Sequence, residues 1–310
     1  MGTPAFAVPA LRAVAEVAQV VTVVTQPDRP RGRGQAMAPS AVAEAATELG
    51  LPVMKPERVN DAIAVGAIGA LCPDLFAVVA FGAILSPDLL ALPRLGALNL
   101  HGSLLPDYRG ASPVQRALWD GRTSTGVTTL WMDEGIDTGD IVLQRPAPIE
   151  PDDDAGILAA RLADLGGPLL AETVVLAHEG RSPRTPQDRA QGSYARKLSK
   201  QDGAVDWSLD AEVVWNHQRA VTPWPGAWTR FRDRNLILTR TRPLAGPTAG
   251  EPGAVLEVRH DGVVVACAAG ALLVERVKPE GRAEQAAADW AHGARLIPNE
   301  RLLVAREAHT

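Results

Sequence analysis

Phe76-Ala77-Val78-Val79-Ala80, then helix-length material around Leu85 to Leu92, then Ala97-Leu98-Asn99-Leu100 decide the fold of this chain. The outer runs are short and apolar and read as buried strands. The middle run carries Ser86 where a helix N-cap belongs. Strand, helix and strand in that order make a parallel pair joined by a crossover. The same alternation runs upstream. Val8 to Ala18 places Val8, Leu11, Val14, Ala15 and Ala18 at helical spacing, Val20 to Thr25 is a β-branched strand, and Ser40 to Leu49 is a second helix. The pattern predicts an α/β domain with a doubly wound, Rossmann-like parallel sheet.

Beyond residue 120 the pattern changes. Gly126 to Met132 and Asp140 to Gln144 read as a close strand pair. Ile157 to Ala177 is a long amphipathic helix that Gly166-Gly167-Pro168 is expected to interrupt. From Arg181 to Lys200 six basic residues face one acid, Asp188, among Pro183, Pro186 and Gly192, the composition of an exposed linker. A helix near Ala211 to Arg219 then precedes a β-rich tail. Trp228 to Arg232 and Leu236 to Arg242 form a hairpin around Asp233-Arg234-Asn235, and short strands follow at Val255 to Val258, Gly262 to Ala266 and Leu272 to Val277. Such a series suggests a small β-barrel, with the oligonucleotide-binding (OB-like) type one candidate. The division expected is a domain over 1–180, a basic linker over 181–205 and a small barrel over 206–310.

At 310 residues and 46% hydrophobic, the chain has the makeup of a soluble globular protein. Its net charge of −5 excludes a global basic field, so nucleic acid would have to be met by local patches. One such patch is Arg29, Arg31 and Arg33 in a Pro- and Gly-rich loop. Another is Arg230, Arg232, Arg234, Arg240 and Arg242 on the hairpin, opposed within it only by Asp233, with Arg230 and Arg232 expected on one strand face. Cys72 and Cys267 lack metal-ligand spacing and read as reduced core thiols. The apolar stretch from Phe6 to Val24 carries Arg12 and Glu16, unlike a signal peptide, and no apolar run approaches a membrane span. The expected setting is the cytoplasm, and the expected state a monomer.

The chemistry gathers where the last of these strands runs out. Asn99 and His101 stand at i and i+2 and point the same way, at the sheet edge where open α/β folds hold ligands. A carboxamide can donate to a developing oxyanion, and an imidazole can donate or carry a proton at neutral pH. A carboxylate would orient that imidazole. Together the three suit attack by an amine on a polarised acyl carbon, without a metal. Singly, Asn99 could satisfy a strand end, and His101 could be a core histidine. Asp133, Glu134, Asp137 and Asp140 could form a solvated turn or a calcium loop, the latter without EF-hand spacing or flanking helices. Composition and spacing do not choose among those four acids.

Here the motifs carry a resemblance. Asn99-Leu100-His101-Gly102-Ser103-Leu104-Leu105-Pro106, Tyr108-Arg109-Gly110 and the Asp133-to-Asp140 loop resemble the folate-dependent formyltransferase family. Supporting motifs are Gly2-Thr3-Pro4, Thr25-Gln26-Pro27-Asp28-Arg29-Pro30, Gly32-Arg33-Gly34, Thr125-Gly126-Val127-Thr128, Tyr194-Ala195-Arg196-Lys197-Leu198 and Trp224-Pro225-Gly226-Ala227. The resemblance spans nearly the whole chain. It implies transfer of a formyl group from 10-formyltetrahydrofolate to the α-amine of methionyl initiator tRNA in translation initiation. Asn99 and His101 would polarise the formyl oxygen, Asp137 would hold His101, and Ser103, Leu104, Leu105 and Pro106 would line the folate site. Arg29, Arg31, Arg33, Arg230 and Arg232 would meet the tRNA, Arg33 matching the loop that reaches its acceptor end.

One departure concerns the start. Family members place a short apolar strand before Gly-Thr-Pro, whereas here Met1 precedes it directly, through a late start assignment or a shortened chain. Exposed apolar edges and unpaired backbone groups are the expected consequence. Rival readings are a formyltransferase acting on an amino-sugar nucleotide, the hydrolase part of formyltetrahydrofolate dehydrogenase, and a non-catalytic RNA-binding relative. Dinucleotide binding is disfavoured, because no Gly-x-Gly-x-x-Gly follows the first strand.

Overall fold

The computed structural model describes residues 1–31, 36–244, 246 and 250–303, the side chain of Arg31 excepted. They fall into two units. The first comprises Met1–Pro113, Ser124–Pro148 and Ala159–Ala195, and the second Val114–Thr123, Ile149–Leu158 and the chain from Arg196 onward.

In the first unit, α1 (Val8–Val17), β1 (Val23–Val24), β2 (Arg29–Arg31), β3 (Ala36–Ala38), α2 (Ala41–Glu48), β4 (Val53–Met54), α3 (Ala62–Gly69), β5 (Phe76–Val78), α4 (Pro87–Leu90) and β6 (Ala97–His101) follow in order. Ser40 and Ser86 cap α2 and α4, each accepting from the N–H three residues on. β1 pairs with β4 and β5 with β6, both in parallel, the latter with Val78 opposite Asn99. The basic loop is a small hairpin, β2 against β3, with Arg29 opposite Ala38.

Met1 and Gly2 lie between β1 and β5. Gly2 N–H donates to Val24 O at 3.1 Å, and Val79 N–H donates to Met1 O at 2.9 Å. Two residues thus pair with backbone groups of Val24 on one side and of Ala77 and Val79 on the other.

After α5 (Pro113–Trp119), whose first residue closes a segment of this unit, β7 (Ser124–Trp131) and β8 (Ile141–Pro148) extend the sheet in antiparallel fashion, with His101 opposite Thr128. Leu98 and Leu100 point to one face of β6 and are fully buried. Asn99 and His101 point to the other. Val24, Ile68, Phe76, Val78, Phe81, Leu89 and Ala97 form one core of this unit.

The long helix α6 (Ala155–His178) is not interrupted; it runs through Gly166, Gly167 and Pro168. Those glycines serve packing. A Cβ on Gly166 would stand 2.7 Å from Leu100 Cδ2, and one on Gly167 would stand 2.9 Å from the Pro9 carbonyl. Pro168 faces solvent, where water can meet the carbonyl its missing N–H leaves open. α6 therefore presses close beneath the strand that carries Asn99 and His101.

In the second unit α7 (Ala211–Val221) and α8 (Ala287–Ala294) accompany β9 (Ala227–Phe231), β10 (Arg234–Leu244), β11 (Val255–Arg259), β12 (Gly262–Ala266), β13 (Ala271–Pro279) and β14 (Gln285–Ala286). The sheet runs β11-β12-β13-β10-β9, antiparallel throughout, with β14 on β13. Trp207, Leu236, Leu238, Val265, Leu272, Val277 and Trp290 are among its core. The β9–β10 turn puts Arg232 and Asp233 at φ +45° and +63°, so Arg232 leaves the strand and does not share a face with Arg230. Cys267 is buried, but Cys72 is exposed, contrary to the core position expected for it.

Candidate active site

β6 delivers Asn99 and His101, and the β6–β7 pairing brings the β7–β8 connection over them. Of the four acids in that connection only Asp137 reaches the pair. Its Oδ1 accepts from Asn99 Nδ2 at 3.1 Å. Its Oδ2 accepts the Gly110 N–H at 2.8 Å and stands 3.5 Å from His101 Nδ1. Asp133 accepts from the Gly135 N–H and Thr138 Oγ1 of its own turn and pairs with Arg189. Asp140 faces Arg184, whose guanidinium lies over the Trp131 ring, and Glu134 is exposed. The choice that composition leaves open is thus made by pairing partners.

His101 is buried, and its Nε2 lies 2.9 Å from Tyr108 O. A carbonyl only accepts, so the ring is protonated at Nε2 and presents Nδ1 to the carboxylate. Asn99 uses one amide N–H on Asp137; no partner among the described residues takes the other. Asp137 itself holds φ +54°, a left-handed conformation that costs an aspartate energy unless its surroundings fix it. Gly110, at φ +105°, could not carry a side chain: its Cβ would meet Ala195 O at 2.7 Å.

The expected folate-lining residues form the turn directly after β6. Ser103 and Leu105 are buried, and Leu104 and Pro106 half-buried. Ser103 Oγ donates to Asp107 O at 2.6 Å, and Thr128 Oγ1 donates to Ser103 O at 2.7 Å. Gln144 Nε2 donates to Leu105 O at 2.8 Å. Thr128 and Gln144 thereby brace the turn from β7 and β8.

Residues 187–195, part of a stretch that reads as linker, lie against the same site. Ser193 Oγ accepts the Tyr108 N–H, and Gln187 Nε2 donates to the carbonyls of Asp137 and Gly139. Nothing in their local pattern signals it; a polar run without apolar alternation offers no period to read.

The basic residues are dispersed. Arg29 is exposed on β2, Arg31 is described only in its backbone on β2, and Arg33 lies outside the described residues. Arg230 pairs with Asp233, and Arg232 with Glu300 while covering the Phe231 ring. Arg240 and Arg242 both pair with Glu275 of the neighbouring strand. The hairpin patch is therefore opposed by more than Asp233.

Comparison with known proteins agrees with this arrangement. Residues 5–174 match the model of the formyl transferase family, and residues 197–295 that of the formyl transferase C-terminal domain. A methionyl-tRNA formyltransferase of Geobacter sulfurreducens is 46% identical, the match covering 97% of this chain and 95% of that one. One from Anaeromyxobacter dehalogenans is 48% identical over 95% of this chain and 96% of that one. Among solved structures, an N-formyltransferase of Helicobacter canadensis in complex with folinic acid and dTDP-3-aminofucose has a TM-score of 0.65 at 17% identity. That match covers 88% of this chain and 96% of the other, and it speaks for the fold. The chain belongs to the methionyl-tRNA formyltransferases of the formyl transferase family.

Proposed function

We propose that this chain transfers the formyl group of 10-formyltetrahydrofolate to the α-amine of methionyl initiator tRNA, with Asn99, His101 and Asp137 as its catalytic groups. The observation that carries the reading is the single carboxylate of Asp137 that holds the Asn99 amide and faces the His101 imidazole. The free N–H of Asn99 donates to the formyl oxygen as it becomes an oxyanion, and His101, as its Nδ1 takes up the amine proton, adds its developing positive charge beside the same oxygen. The amine nitrogen bonds to the formyl carbon, and the bond from that carbon to N10 breaks. One proton leaves the amine for the Asp137–His101 pair, and one is returned to N10. The turn Ser103-Leu104-Leu105-Pro106 lines the folate side.

The rest of the molecule takes its part in the same reading. Residues 1–180 form the catalytic domain, 181–205 a basic linker and 206–310 an OB-like barrel that meets tRNA. Support for barrel closure comes from the segment after α8. Arg230 and Leu303 exchange backbone hydrogen bonds, and Leu302 N–H donates to Gly253 O, so the segment touches both the β9 edge and the chain entering β11. Arg29, Arg31, Arg33, Arg230 and Arg232 contact tRNA phosphates, and binding weakens steeply with salt. The enzyme acts as a cytoplasmic monomer.

The test is transfer of labelled formyl from 10-formyltetrahydrofolate to charged initiator tRNA, with charged elongator tRNA and an amino-sugar nucleotide as alternative acceptors. Transfer to the initiator alone is expected; transfer only to the sugar overturns the reading.

A further inference from the structure

Arg109 is a buried guanidinium with no carboxylate against it among the described residues. It is satisfied by neutral oxygens. Its Nε and Nη2 donate to Gln187 Oε1 at 3.1 and 2.9 Å, its Nη1 to Gln191 O at 3.1 Å, and its Nη2 also to Asp188 O at 3.2 Å. A buried charge needs such a full set of acceptors, so the arrangement holds whatever accepts from it.

Gln187 is the half-buried residue in the otherwise exposed run 183–190. With its oxygen occupied by Arg109, its amide nitrogen donates to Asp137 O at 2.9 Å and Gly139 O at 2.7 Å. The guanidinium only donates and the carbonyls only accept, so the carboxamide can sit in just one orientation. Its four hydrogen bonds clamp the two ends of Asp137-Thr138-Gly139. Asp137 is held there at φ +54°, from which its carboxylate reaches Asn99, Gly110 and His101.

We infer that Gln187, oriented by Arg109, is a positioning residue that fixes the Asp137 carboxylate against His101 and Asn99. The inference rests on the assignment of Asp137 as a catalytic group. It deepens that assignment by making residues 187–191, remote in sequence, part of the machinery that aims it.

Gln187→Glu is the discriminating change. It keeps the shape and the acceptor facing Arg109 but turns both donors into a carboxylate facing two carbonyls. Misplacing a reacting group by about 1 Å costs on the order of 10²-fold in rate. Gln187→Glu is expected to lower kcat in single-turnover formyl transfer about 10- to 100-fold, with KM for donor and tRNA unchanged within about twofold. Gln187→Met, neutral and similar in length, loses the clamp without the repulsion and reports the same drop should the glutamate variant fold poorly.

The decisive measurement is the double-mutant cycle with Asp137→Ala. If Gln187 acts through Asp137, its replacement causes no further loss in the Asp137→Ala background. A full, additive loss there, or a Gln187→Met enzyme that turns over as the parent does, overturns the inference. An Asp137→Ala enzyme of near-parental activity instead withdraws the catalytic assignment beneath it, and the two failures are told apart by that single variant.

Discussion

Asp137→Asn is the sharpest perturbation of the site, because it keeps the side chain's shape while removing its charge and one of its two acceptor oxygens. In the parent, Oδ1 takes the Asn99 amide at 3.1 Å and Oδ2 takes the Gly110 N–H at 2.8 Å. The variant has one oxygen for the two donors, so one charge-assisted hydrogen bond, worth about 1.5–3 kcal/mol, is lost. His101 Nδ1 lies 3.5 Å from Oδ2. A unit charge pair near that distance is worth about 4 kcal/mol at an effective dielectric of about 20, so a ring that has gained half a charge in the transition state feels about 2 kcal/mol. The first loss is already felt in the resting enzyme and lowers its stability; the second bears on the barrier and, at about 1.4 kcal/mol per decade, is a fall of about 30-fold in kcat. The assay is quenched-flow transfer of labelled formyl from 10-formyltetrahydrofolate to charged initiator tRNA, alongside a thermal melt to show that the fold persists. A folded Asp137→Asn enzyme within about tenfold of the parent would refute the argument.

Three further outcomes follow from packing and ionisation. Gly167→Ala gains about 0.8–1 kcal/mol of helix propensity. It nevertheless drives a methyl to 2.9 Å from the Pro9 backbone, which cannot yield as a side chain can, so a net loss of about 1–2 kcal/mol is expected by chemical denaturation; a stabilised variant contradicts the close approach. His217 is buried with Nε2 donating to Asp202 O and its ring edge-on to Trp119; burial lowers its pKa, against the opposing pull of Asp202 and Asp206. Below the unfolded value of about 6.5 the unfolded chain binds a proton that the native state refuses. Stability is therefore lost as pH falls from there toward the folded pKa, and His217→Gln should flatten that part of the melting-temperature profile. Burial pushes the Cys267 thiol up to about 12, whereas Cys72 is exposed. One thiol should react with Ellman's reagent in the native protein and a second only in denaturant; two fast thiols would contradict the buried position.

What the residues reveal beforehand divides by the range of the interaction. The β5–α4–β6 unit is legible because each signal is local: apolar runs, the Ser86 cap, the alternation that turns Leu98 and Leu100 one way and Asn99 and His101 the other. Gly166 and Gly167 mislead for the complementary reason. Their composition argues for a break in the helix, and the price of two flexible residues is met by contacts with Leu100 and Pro9 that no window of sequence contains. The hairpin arginines mislead likewise. They are a bare cationic run along β9 and β10 until β13 sets Glu275 beside Arg240 and Arg242.

Asp137 carries this reasoning to the site. Its neighbours Asp133 and Asp140 bear the same side chain within four residues, and each is drawn off by an arginine of the 184–189 stretch, Asp133 by Arg189 and Asp140 by Arg184. The same stretch supplies Gln187, which holds the Asp137 backbone. Selection of the carboxylate is thus a property of two segments about 50 residues apart, one acidic and one basic: Asp133 and Asp140 are drawn to arginines, Glu134 is exposed, and Asp137 turns to Asn99 and His101. Asp137 meets no arginine among the described residues, and its charge is available to an imidazole and an amide. The residue that approaches Asp137 from this basic stretch is a neutral glutamine, which holds the backbone carbonyl and leaves the carboxylate to Asn99, Gly110 and His101.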